Sequence, residues 1–140
     1  MIEARLTLAE ARWMMQALNL QPSGDSPLAE PLASVAEVPT GSTAESRVKQ
    51  GLASRGLLLQ GNAVNPFAAS ALRWLAAPQE VWSLSLFGRG GAWVVHLAFR
   101  EGSAVECRRD GAGFTLRFPL PEMEARAWLA AQMGGGSHGA

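Results

Sequence analysis

Side chains able to run chemistry are scarce in this chain of 140 residues, which has two histidines, two aspartates, one cysteine and no tyrosine. Catalysis asks for a nucleophile beside a base, a carboxylate pair, or converging metal ligands. His96 stands in the middle of an alternating segment that contains neither a cysteine nor an aspartate, and His138 stands in a glycine-rich stretch. As a zinc pair they have no neighbouring ligands at helical or hairpin spacing. His96 therefore reads as a structural or solvent-facing strand residue. Cys107 precedes Arg108 and Arg109, cations that could lower a thiol pKa and raise its reactivity. A lone cysteine in a strand is mostly a small apolar filler. Glu122 and Glu124 point to different faces of a helix start and complement its dipole. Gly88-Arg89-Gly90-Gly91 matches neither the phosphate-loop spacing nor the dinucleotide fingerprint. It reads as a hairpin turn, where glycine supplies positive φ. The expectation is a protein without catalytic residues, cofactor or metal.

The elements that would position such groups follow from composition and period. With 48% apolar and 17% charged residues, the chain reads as one globular domain over 1–133, followed by a flexible Gly-rich tail over 134–140. Twelve basic residues balance twelve acidic ones, which argues against a nucleic-acid or anionic-membrane binder, since those carry a basic excess. Met1 to Leu20 lacks the pattern of a signal peptide. No stretch approaches the roughly 20 apolar residues of a membrane span. One cysteine permits no internal disulfide and agrees with a reducing compartment. The expected location is cytoplasmic.

Ile2 to Thr7 alternates as a half-buried strand does, and Thr7-Leu8-Ala9-Glu10 then has the form of a capping box that opens a helix over roughly 8–19. Pro22, Pro27, Pro31 and Pro39 lie too close together for a helix or central strand to persist, so 21–41 reads as a long loop. Ser42-Thr43-Ala44-Glu45 repeats the capping pattern before a helix over about 43–55, with Gly56 as its C-terminal cap. Asn65-Pro66 opens a third helix over about 66–77. Val81 to Phe87, Ala92 to Phe99, Ala104 to Arg108 and Phe114 to Phe118 form a meander of four strands. Trp93, Val95, Leu97 and Phe99 share one face, as do Phe114, Leu116 and Phe118, and those faces should meet the helices. A last helix begins near Pro121. The fold class is α+β, an antiparallel sheet of four to five strands packed with about four helices.

Five tryptophans, Trp13, Trp74, Trp82, Trp93 and Trp128, exceed what a core of this size requires. Tryptophan is enriched at binding hot spots. Trp13 and Trp74 lie off the main apolar stripes of their helices and are the candidates for exposed contacts. Three helices before a hairpin also suggest a winged helix. However, Gly56 to Asn65 is longer than the 3–4-residue turn of a helix-turn-helix, and the would-be recognition helix offers only Arg73 as a charged residue. A binding module fits better than an enzyme, and a small dimeric interaction or regulatory subunit is one form of it.

The order of features carries a resemblance. A strand with Leu6-Thr7-Leu8-Ala9-Glu10 entering a helix, a Pro-rich loop, Thr43-Ala44-Glu45 opening a helix that ends Leu52-Ala53-Ser54-Arg55-Gly56-Leu57, and Leu72-Arg73-Trp74-Leu75-Ala76-Ala77-Pro78 before a meander resembles the EspG family of type VII (ESX) secretion-associated proteins. The resemblance covers about residues 4–133. It implies a cytosolic chaperone, without cofactor or catalysis, that holds a helical client of PE/PPE-like or WxG-like type before export. Family members contain two related halves about a pseudo-two-fold axis, and this chain matches one half. An apolar edge or face left open by that difference would be covered by a second copy, which predicts a homodimer. The family's substrate contacts include a loop between sheet strands. Carried onto this chain, that loop corresponds to Arg89, Gly90 and Gly91, to which Trp74 and Trp13 are added from their off-stripe positions.

Overall fold

A computed structural model describes residues 2–89 and 91–138. In chain order the elements are β1 (Ile2–Thr7), α1 (Leu8–Ala17), α2 (Ala29–Ala33), α3 (Thr43–Ser54), α4 (Pro66–Ala76), β2 (Glu80–Gly88), β3 (Gly91–Arg100), β4 (Ser103–Arg109), β5 (Gly113–Pro121) and α5 (Glu122–His138). The five strands form one antiparallel sheet in the order β1-β5-β4-β3-β2. The fold class is α+β, as its sequence predicts, with one more helix than expected.

Local chemistry explains where the helices start. The Thr7 hydroxyl accepts from the Glu10 amide at 3.1 Å while the Glu10 carboxylate accepts from the Thr7 amide at 2.9 Å, a complete capping box. At α3 only half of the expected box forms. Ser42 Oγ accepts from the Glu45 amide at 3.1 Å, but Glu45 turns to the Gly41 amide, 2.9 Å away. Asn65 Oδ1 caps α4 through the amide of Phe67, at 2.9 Å, with Pro66 in the first helical position where no amide hydrogen is needed. Gly56, at φ +73°, follows the end of α3 in the left-handed conformation.

The 21–41 segment corrects the sequence reading. It contains α2, and Pro31 sits within the first turn of that helix, where the backbone amides have no intrahelical acceptor to lose. The segment is also packed rather than superficial, since Leu28, Leu32 and Val38 are buried. Ser26 fastens it by donating its hydroxyl to the Leu75 carbonyl at 2.5 Å and accepting from the Leu28 amide at 3.1 Å. At the other end of the chain, the backbone of α5 continues to His138. Its last residues, 134–138, fall within the stretch that the sequence assigns to a tail, and Gly139 and Ala140 lie outside the described residues.

Two apolar clusters cover the two sheet faces. The larger joins Ala4, Leu6, Ala98, Val105, Cys107, Phe114, Leu116 and Phe118 to the apolar sides of α1, α3 and α4. The smaller joins Leu97, Phe99, Ala104 and Leu120 to Ala125 and Leu129 of α5. Thus Leu97 and Phe99 meet helices as expected, but on the side opposite to Phe114, Leu116 and Phe118. An irregularity in the β4–β5 pairing makes the second face possible. Ala104 pairs with Leu120 and Glu106 with Arg117, so Phe118 and Pro119 together oppose Val105. The extra residue shifts the alternation by one and turns Leu120 toward α5.

Candidate functional site

Register decides which of the chemistry-bearing residues meet. His96 pairs with Cys107, and Cys107 with Leu116, in one cross-strand row. Both His96 and Cys107 are buried. His96 Nδ1 lies 2.6 Å from Ser83 Oγ, while its Nε2 is buried without a partner. Burial first, and the charge of Arg109 second, lower the His96 pKa below its ordinary 6.5, so the ring is held neutral. Burial and the neighbouring Glu106 push the Cys107 thiol up to about 12. That is the reverse of the activation that Arg108 and Arg109 could supply. Arg108 is on the other face of the strand, bound instead to the buried Glu106 carboxylate at 3.1 Å, with Arg117 at 3.6 Å on its far side. Among the described residues no group of three or more His, Cys, Asp or Glu side chains could hold a metal ion.

The two tryptophans predicted as exposed contacts are held by the fold. Trp13 is 6% exposed because α1 is covered by α3 as well as by the sheet. Its indole N–H donates to Glu45 Oε2 at 2.9 Å and Lys49 lies over the ring at 5.9 Å. Trp74 is half-buried and meets Phe118 edge-on with ring centroids 4.9 Å apart. One apolar stripe per helix undercounts burial where a helix has neighbours on two sides.

Arg89 and Gly91 lie elsewhere, at the turn between β2 and β3, and Arg89 is exposed. Gly91 has φ +107°, which a side chain would strain. Gly90 lies outside the described residues. Phe118, the partner of Trp74, is in the row of Ile2, whereas the turn extends past the row of Phe114 and Leu6, so Trp74 and Arg89 occupy opposite ends of the sheet.

The turn belongs to a projecting arm. Pairing of β3 with β4 stops at Val94–Arg109, yet β2 and β3 continue together through Leu86–Trp93, Phe87–Ala92 and Gly88–Gly91. The arm overhangs the sheet by those three rows. A hollow flanks it on each side. One, of about 380 Å³, is lined by Arg5, Trp93, Arg108, Asp110 and Thr115, and the other, of about 290 Å³, by Ser85, Phe87, Val94 and Arg109. Arg5 donates to Asp110 at 2.8 Å across the first, which with the Ala112 amide holds the Asp110 carboxyl at about 2. Unequal strand lengths in the sequence allow such an arm, but only the registers of β2–β3 and β3–β4 define it.

Fold and site together describe an α+β sheet domain with an overhanging strand-pair arm, and with His96 and Cys107 withdrawn into the core. The chain belongs to the EspG family, whose sequence pattern matches residues 10–135. Membership points to an ESX secretion-associated chaperone role. A search of curated proteins gave no match. No helix among the described residues is long and apolar enough to cross a membrane.

Proposed function

We propose that this chain is a cytoplasmic ESX secretion chaperone that binds a helical client of PE/PPE-like or WxG-like type stoichiometrically and without catalysis, working as a homodimer. The observation that carries the reading is the overhanging β2–β3 arm in a chain that matches the EspG family over nearly its whole length. The arm offers Arg89 and Gly91 at its tip and apolar walls at Phe87, Ala92 and Trp93, flanked by open hollows. An amphipathic client helix laid against such a surface would cover its own apolar stripe and stay soluble until release. Gly90 belongs to the same tip by sequence. Trp13 and Trp74 act in the scaffold, Trp13 fixing α1 against α3 and Trp74 fixing α4 against β5.

The test is a titration of purified client against the wild-type protein and Arg89→Glu. The reading expects weaker client binding with an unchanged melting temperature. Equal affinity for the two proteins would refute the arm as the contact.

A further inference from the structure

The two edges of the sheet are built differently. β1 carries Glu3 and Arg5, and the Arg55 guanidinium donates to the Arg5 carbonyl, so this edge is charged and partly occupied. β2 is nine residues long, and from Val81 to Gly88 it has no charge and no proline. Those are the devices with which proteins blunt an edge strand. The principal helix contacts also fall on β3, β4 and β5, leaving β2 flanked by β3 alone along most of its length. Trp82 and Phe87 are among the large apolar side chains left exposed, at 40% and 81%.

The sequence of β2 is symmetric in character about Leu84. One step away stand Ser83 and Ser85, two steps away Trp82 and Leu86, three steps away Val81 and Phe87. A second copy added antiparallel with Leu84 opposite Leu84 therefore sets Ser83 against Ser85, Trp82 against Leu86 and Val81 against Phe87. Every row matches apolar with apolar or hydroxyl with hydroxyl. The outermost row sets Glu80 against Gly88, so no like charges meet, and Glu80 is already paired with Arg126 of its own chain at 2.6 Å. The backbone agrees. Two residues separate the paired Gly88 and Gly91, which makes that row a hydrogen-bonded one and leaves the amides and carbonyls of Val81, Ser83, Ser85 and Phe87 directed away from β3.

We infer that two copies of this chain join β2 to β2 about a two-fold axis at Leu84, forming one continuous ten-stranded antiparallel sheet. This rests on the homodimer proposed above and names the surface that makes it. A two-fold axis requires an interface that is complementary to itself, and the hydroxyl and apolar pattern of β2 meets that requirement. A centre at Ala4 would also match β1 to itself, Glu3 against Arg5 and Ile2 against Leu6, but there the Arg55 guanidinium already holds the Arg5 carbonyl, which an added strand would need.

Cysteine cross-linking reads the register directly. In a non-hydrogen-bonded antiparallel row the Cα atoms are about 4.5 Å apart, within the range that a disulfide spans. Leu84→Cys should oxidise to a species of doubled mass on a non-reducing gel. Ser85→Cys, whose thiols would be offset diagonally by about 7–8 Å, should stay at single mass. The buried Cys107 should not compete in either protein. Light scattering of the unmodified wild type accompanies the test. A wild-type monomer at micromolar concentration would overturn the homodimer itself. A wild-type dimer in which Leu84→Cys fails to cross-link, or in which Ser85→Cys cross-links as readily, would overturn the β2 assignment alone.

Discussion

Ser83 Oγ lies 2.6 Å from His96 Nδ1, a hydrogen bond that ties the edge strand β2 to its neighbour while the other ring nitrogen is buried without a partner. Protonating that ring would place a charge in the sheet interior, within the field of Arg109. The folded-state pKa is lowered relative to 6.5, so the unfolded chain takes up the proton first as pH falls. Stability should therefore be full above pH 6.5 and decline as the pH drops below it toward the folded pKa. Denaturant melts between pH 7.5 and 5.5 should show this decline, and His96→Gln should flatten it. A slope unchanged by His96→Gln would place the titration elsewhere.

Helix α3 approaches α1 at Gly51. A Cβ there would come within 2.6 Å of Glu10 Oε2, in the carboxylate that also receives the Arg55 guanidinium. Elsewhere in a helix, Gly→Ala stabilises by about 1 kcal/mol. Here Gly51→Ala should destabilise by about 1–3 kcal/mol through overpacking. Arg55→Ala should also destabilise, by about 1–2 kcal/mol, because it strands the buried Glu10 charge, the cost being reduced by the partial exposure of Arg55. Equilibrium urea unfolding of both variants checks the sign, and a more stable Gly51→Ala protein would disprove the contact.

Thiol chemistry at Cys107 should be suppressed in the native state. The side chain is fully buried and its pKa is pushed up to about 12. An aromatic disulfide reagent at pH 8 should label the wild type only after denaturant is added. Rapid labelling of the native protein would mean that the sheet opens at β4.

Scaffold and contact residues should separate when stability and client binding are measured side by side. Trp74→Ala removes the edge-on packing on Phe118 and should cost about 2–3 kcal/mol for a half-buried indole. Arg89→Ala should leave stability within about 0.5 kcal/mol of wild type, as exposed substitutions do, and weaken client binding. The opposite assignment of effects would restore Trp74 as a contact and remove Arg89.

Local signals in the sequence foretold most elements. Thr7 with Glu10, Asn65 with Pro66, and Gly56 each act through neighbours a few residues away, and each forms the predicted helix end. What depended on distant neighbours was harder to read. Trp13 is off the stripe of α1 yet buried, because α3 covers a second side that periodicity within α1 does not reveal. Pro31 suggests a loop unless its place in a first helical turn is known. The reversal of face at Phe118 and Pro119 depends on pairing with β4, and it decides where Leu120 and α5 go. The overhang of the arm is likewise a difference between strand lengths, visible only once registers are set. The charge pairs of Glu106 with Arg108 and Arg117 were missed, because the sequence reading set Arg108 beside Cys107 and because Arg117 meets Glu106 only through the register of β4 on β5.

Native mass spectrometry of the protein isolated gently from its own cells tests the central claim most directly, because one spectrum reports subunit count and retained partner together. The spectrum should show a species whose mass equals two chains plus a helical ESX substrate. A species that retains no such substrate, in cells that express one, would contradict the claim.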